Sequence, residues 1–527
     1  MSDRDRVVVV TGGGGGIGAA IAESIGSTGA FVVTVDPLVS VDGAEQLPQP
    51  EETTAGRIVA AGGGARASSV SVTDETGLRR LFDDLAEEFG GLDAVVNVAG
   101  ISRPTSFVKG SRDDWRSVLS VHLDGYRNVL AAALPLMAAA GRGHILGVTS
   151  GSGWRSADAG AYGCAKRAVA ALTWQLGRDA PDGVVVNAIS PIAATRMVAA
   201  ALGGKLPTGG AATGGLALGS MPTPAHLGPL GAHLVADGFD ACRGRVLFAG
   251  GSEVAVIDEP RLIEVVRSDD VPAPPHLVEA ATVIALARAE AHQVSGGGSN
   301  ARFGSSFDEA PTDELPPAAV QSCAIATDRP AAATMALLDA LEARGVTCHV
   351  VDTPTALGGI DALDAVVVAM AGETGADDAS GWQRILAEHD GIVDRIDSDA
   401  RWARAVAELA VDGDRPIRLV TVTDATSTGG RSRAQAAAQL ARAGKKATGG
   451  RVLPFAVSAE SEDLATELVA HLVCSPAAAD LTGAELVSGA GWFGLRSHPR
   501  PIGSISFGGP AVPAWFDDTL REVVQPR

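Results

Sequence analysis

The chain has 527 residues, too many for one ordinary hydrophobic core, and a prior of about 150 residues per domain suggests two to four units. Hydrophobic residues at 46%, 65 glycines and only 4% aromatics indicate a folded α/β protein and speak against disorder or a β-sandwich. A net charge of −20 argues against a nucleic-acid or anionic-membrane surface; Cys164, Cys242, Cys323, Cys348 and Cys474 lie far apart without CxxC spacing, so neither a disulfide framework nor a metal site is expected.

Met1 to Arg6 are charged and lead straight into a β-type run, unlike a signal peptide. No stretch of about 18 apolar residues occurs, so a cytoplasmic protein without membrane contact is expected. "RVVVVTGGGGGIGAAIAESIGSTGAFVVTVD" then reads as a buried strand, a glycine turn, an Ala-rich helix and a second strand ending at Asp36. Such a βαβ unit holds a dinucleotide: Gly12, Gly16 and Gly18 let backbone amides and the helix N-terminus approach a pyrophosphate, with Ile17 between them. The Asp36 carboxylate can accept from a ribose diol and would repel a 2′-phosphate, and no Arg or Lys stands at 13–15 or 37–40. NAD is therefore favoured over NADP.

Farther on, "LFDDLAEEFGGLDAVVNVAGIS" gives an amphipathic helix and a buried strand running into Asn97, Ala99 and Gly100. "GHILGVTSGSG" follows as an apolar strand ending in hydroxyl residues, and the next helix carries "YGCAK", Tyr162 to Lys166. Residues four apart share a helix face, so both side chains can enter one cleft.

Thr11-Gly12-x-x-x-Gly16-Ile17-Gly18, Asn97-Val98-Ala99-Gly100, a strand-end Ser and Tyr162-x-x-x-Lys166 appear in the order and at the spacing of the short-chain dehydrogenase/reductase family, which residues 5 to 265 resemble. The resemblance implies a doubly wound parallel Rossmann sheet and an NAD-dependent alcohol/ketone oxidoreductase. Tyr162 would be its general acid/base, with Lys166 lowering the phenol pKa and holding the nicotinamide ribose; Ser150 would bind the substrate oxygen, with Thr149 and Ser152 competing for that role. Val72 would meet the adenine and Thr195 the cofactor. Where many relatives carry Asn this chain has His122, either a helix histidine bonded to backbone or a member of a proton relay behind Lys166. Ile192 stands where many relatives have Gly. These departures, with the long segment after the second strand, resemble the (3R)-hydroxyacyl-CoA dehydrogenase part of multifunctional β-oxidation enzymes, implying a 3-hydroxyacyl-CoA substrate.

Residues 269–317 read as a linker with a helix near 276–294, and a new α/β pattern begins near Ala318. It repeats the first: "FVVTVD" matches "TCHVVD", "LDAVVNVAG" matches "LDAVVVAMAG", "WRSVLSVHLDG" matches "WQRILAEHDG". The copy lacks the glycines, and its alignment puts Gln435 and Gln439 at Tyr162 and Lys166, which leaves no base to act. The expected organisation is 1–268, a catalytic Rossmann domain; 269–317, the linker; 318–500, a degenerate, non-catalytic Rossmann-like domain; and 501–527, a tail. The copy is expected to take a partner subunit's place, giving a pseudo-dimer that dimerises again as a homo-oligomer. Residues 197–225 suit an apolar lid over the substrate. Two other functions stay open: a steroid or polyketide ketone as substrate, and a nucleotide-binding scaffold, which suits only the second half.

Overall fold

The computed structural model describes residues 6–155, 158–201, 221–271, 273–294, 315, 318–372, 381–413, 415–461 and 465–525. The first eight strands run β1 (Val7–Thr11), β2 (Phe31–Val35), β3 (Ala65–Ser68), β4 (Ala94–Asn97), β5 (Gly143–Val148), β6 (Val184–Pro191), β7 (Val246–Gly250) and β8 (Glu253–Asp258). β1 is buried throughout, as an apolar run must be when helices cover both faces of a parallel sheet. It pairs in parallel with β2 and β4, which leaves a crevice outside the carboxyl ends where the strand order reverses.

The remaining strands are β9 (Leu262–Arg267), β10 (Ser322–Thr327), β11 (Thr347–Val350), β12 (Ala365–Ala369), β13 (Ile417–Asp424), β14 (Val452–Ala459), β15 (Glu485–Gly489), β16 (Trp492–Arg496) and β17 (Arg500–Ser506). One sheet has the order β3-β2-β1-β4-β5-β6-β7-β8-β17, the other β11-β10-β12-β13-β14-β15-β16-β9. The second sheet repeats the first, and among the described residues it has no counterpart of β3, in line with the short gap between β11 and β12.

Sheet membership departs from the expected boundaries in a reciprocal way. β9, which precedes residue 268, pairs antiparallel with β16 of the second sheet. β17, in the segment expected as a tail, pairs antiparallel with β8 of the first sheet, and the helix Phe516–Val524 buries Phe516 and Leu520 in that sheet's core. The expected linker also contributes: Val278, Ala281, Leu286 and Ala289 lie in the core of the second sheet. Each terminal hairpin leaves an open edge, and the strand covering it comes from the other half. A strand's own pattern shows which face is apolar but names no pairing partner.

The halves meet along two 20-residue helices, Gly160–Asp179 and Thr428–Ala447. One core cluster runs through the seam, joining Leu172 and Leu176 of the first helix to Ile385, Trp402 and Leu440 of the second half.

Candidate active site

Between β1 and the helix Gly16–Gly26 the chain turns with φ of +65° at Gly12 and +55° at Gly16, conformations that glycine adopts without strain. A Cβ on Gly18 would lie 2.2 Å from the Gly12 carbonyl oxygen, and one on Gly14 would lie 2.7 Å from an Asp36 oxygen. Gly15 caps the helix without a side-chain acceptor, so the first amides are open to an anion. This cradle, which any side chain would fill, fits a dinucleotide pyrophosphate. The Asp36 carboxylate accepts from Gly14 N at 3.0 Å and from Leu38 N at 2.8 Å, and each oxygen keeps lone pairs for a ribose diol.

The Thr11 hydroxyl donates to Asn97 Oδ1 at 2.6 Å and accepts from Ala99 N at 3.3 Å, tying β1 to the end of β4. Asn97 thereby shapes the floor of the crevice. The Val72 carbonyl accepts from Asn128 at 3.0 Å, and its side chain packs against Gly125. Ile17 packs against the core of the first sheet, and the Thr195 methyl faces Gly16. Sequence reasoning passed over Arg196, whose guanidinium comes within 3.6 Å of where a Gly15 Cβ would be. Its only signal was adjacency to Thr195.

Tyr162, Lys166 and Ser150 converge. Ser150 caps the short turn Gly151–Gly153, its oxygen accepting from Ser152 N at 3.3 Å. Ser150 lies close enough to the Tyr162 phenol to favour the phenolate, but burial outweighs this and the net shift of the phenol pKa is upward. Lys166 Nζ stands 5.7 Å from the Tyr162 ring centroid and donates to the Val148 carbonyl at 2.6 Å. Burial takes the Lys166 ammonium down to about 7. The expectation that Lys166 would draw the phenol below its ordinary value is thus not met in this arrangement, because desolvation is the larger effect. Of the competing hydroxyls, that of Thr149 donates to the Lys166 carbonyl, while Ser150 lies near the Tyr162 phenol.

His122 lies in a π-helical turn, Ser120–Asp124, a local widening that often marks functional sites. Its Nε2 bonds the Ile101 carbonyl at 2.8 Å, and its ring stands edge-on to Tyr162 with centroids 5.0 Å apart. Burial and the Lys166 charge hold its pKa well below the usual imidazole range, so the ring is neutral. A Cβ on Gly100 would come within 2.3 Å of that ring, which explains the glycine. The other tyrosine, Tyr126, is fully buried, bonded to Thr173 and pushed up to about 12. Of the expected lid, residues 202–220 lie outside the described residues.

The two long helices, one in each half, are of equal length, and four residues separate each from the strand that follows it, β6 or β14. Counting back from that junction puts Gly430 and Ala434 at the places of Tyr162 and Lys166. Gln435 and Gln439, which sequence alignment assigned there, face the first half instead. The site lacks a phenol and an ammonium either way.

The model of the family described as short chain dehydrogenase matches residues 6–202. A short-chain type dehydrogenase/reductase of Mycobacterium tuberculosis, Rv0148, is 37% identical over 196 residues, 37% of this chain and 68% of that protein. The chain belongs to the short-chain dehydrogenase/reductase family. Within it, the short-chain reductase protein NovJ of Streptomyces niveus is 34% identical over 37% of this chain and 72% of its own. The peroxisomal hydratase-dehydrogenase-epimerase of Saccharomyces cerevisiae is 35% identical over 37% of this chain, a match spanning only 22% of that larger protein. Among the described residues no helix is long and apolar enough to cross a membrane, and no cluster of His, Cys, Asp or Glu could hold a metal ion.

Proposed function

We propose that the first half is an NAD-dependent oxidoreductase interconverting a secondary alcohol and a ketone, with a 3-hydroxyacyl/3-oxoacyl thioester such as the CoA ester as substrate. The observation that carries this reading is the convergence of Tyr162, Lys166 and Ser150 at the end of β5 and next to the glycine turn, with Lys166 Nζ 5.7 Å from the Tyr162 ring centroid. Bound nicotinamide supplies the hydride acceptor or donor. Tyr162 takes the proton of the substrate hydroxyl in oxidation and returns it to the carbonyl oxygen in reduction, while Ser150 donates to that same oxygen. Lys166 keeps donors for a ribose beyond its bond to Val148. Asp36 accepts from the adenosine diol, which favours NAD, and Arg196 adds positive charge near the pyrophosphate. Likeness to the yeast hydratase-dehydrogenase-epimerase supports the thioester; likeness to NovJ favours a second reading, reduction of a specialised ketone.

The decisive experiment follows absorbance at 340 nm with NAD or NADP and a panel of 3-hydroxyacyl-CoA esters, steroids and secondary alcohols. NADH formation with the CoA esters is expected, with Tyr162→Phe about 10²–10⁴-fold slower. Asp36→Arg is expected to shift the preference toward NADP. Turnover of the other alcohols but not of the CoA esters would overturn the thioester assignment.

The second half, on this reading, is a non-catalytic copy that stands where a partner subunit would. Light scattering of the intact chain is expected to give the mass of two chains, and the mass of one would refute further pairing.

A further inference from the structure

The copy does more than fill space, because its long helix reaches the turn that carries Ser150. Gln439 is 2% exposed and spends both amide protons across the seam, donating to the Ser152 carbonyl at 3.0 Å and to the Arg155 carbonyl at 3.0 Å. Those carbonyls belong to the turn whose Ser152 amide in turn holds the Ser150 oxygen. Room for this reach comes from Gly163, inside the Tyr162–Lys166 segment: a Cβ there would lie 2.9 Å from the Ser152 oxygen and 3.6 Å from Gln439 Cγ. One turn along the same helix, Arg167 donates to Gln435 at 2.9 Å and pairs with Glu485, and both residues of that pair are buried. Arg167 thus ties its helix to the second long helix through Gln435 and to β15 through Glu485, so the position of Gln439 is defined on a rigid support.

We propose that Gln439 of the second half is a positioning residue for the oxidoreductase site of the first, clamping the Ser150–Arg155 turn and so fixing where Ser150 stands at the end of β5. The inference rests on the proposed function for its consequence in turnover, but the clamp itself can be measured without turnover. A glutamine suits the task because one planar amide presents two donors to two carbonyls without placing a charge in a buried seam.

The test compares the intact chain with Gln439→Met, which keeps length and removes both donors, and with Gln175→Met. Gln175 donates to Ser432 at 3.0 Å across the same seam, away from the turn. Hydrogen exchange of the Gly153, Trp154 and Arg155 amides is expected to speed up in Gln439→Met and to stay at the wild-type rate in Gln175→Met. With the substrate found in the panel above, kcat is expected to fall about 10- to 100-fold in Gln439→Met, with KM for NAD unchanged. The pH profile of Gln439→Met should move to higher pH, because Ser150, whose nearness favours the Tyr162 phenolate, is held less firmly. Gln175→Met should lose stability with kcat and pH profile intact. Unchanged exchange in Gln439→Met, or equal kcat losses in both variants, overturns the clamp. If the wild type is silent across the panel, the proposed function fails while the exchange rates still decide the clamp. Should Gln439→Met not fold, Gln439→Asn, one methylene too short to reach both carbonyls, decides it by the same exchange measurement.

Discussion

Lys166 shows at the scale of one residue how function and stability pull apart. Its folded pKa of about 7 lies below its ordinary value of 10.5, so between these pH values the unfolded chain binds a proton that the native protein does not. Stability from this group therefore rises with pH across that window, and the full penalty is felt below about pH 7. Lys166→Met is expected to raise Tm, most at pH 6 and less at pH 9, while abolishing turnover. Thermal melts at the two pH values check this, and an equal shift at both would mean that burial does not depress the lysine. The candidate pair Tyr162 and Lys166 was legible in the sequence because four residues along a helix return to the same face. Ser150 could be separated from Thr149 only in three dimensions, where the Thr149 hydroxyl turns to the Lys166 carbonyl. His122 was visible as a departure, but its neutral state depends on burial and on the Lys166 charge, which no local pattern displays.

At the scale of elements, the helix that carries Tyr162 and Lys166 has a glycine, Gly163, where helix propensity favours alanine by about 1 kcal/mol. An alanine Cβ at Gly163 would meet the Ser152 oxygen at 2.9 Å, which opposes that preference and presses on the turn. Gly163→Ala is expected to leave Tm nearly unchanged and to lower kcat about tenfold, measured by steady-state kinetics beside a melt; full activity would show that the turn adapts freely. β17 makes a second case. Ending the chain at residue 499 uncovers the β8 edge and removes Phe516 and Leu520 from the core of the first sheet. Aggregation is expected, because an open edge of apolar strand pairs with other chains. A monodisperse truncated protein with the wild-type Tm would contradict the structural role of this segment. The terminal helix was visible as an amphipathic pattern, yet the sheet that it serves was not, since amphipathicity records a buried face and is blind to the surface that buries it.

The whole molecule is two related sheets joined by exchanged strands and by one pair of long helices. The buried Arg167–Glu485 pair with Gln435 lies in that seam, where losing one partner leaves an unpaired charge. Arg167→Leu alone is expected to lose about 3–5 kcal/mol of stability, and Arg167→Leu with Glu485→Leu less than the sum of the two single changes. A denaturant double-mutant cycle measures this, and strict additivity would show that the pair is not coupled. By itself the sequence determined the glycine turn, Asp36, the Tyr162 and Lys166 pair and the presence of a worn copy, because each is written in residues a few positions apart or in a repeated order. Tertiary structure alone decided the strand exchange, the approach of Arg196 to the glycine turn and the reach of Gln439 to the Ser150 turn. Those depend on which surfaces meet across long stretches of chain, and periodicity specifies that a face is buried without specifying what buries it.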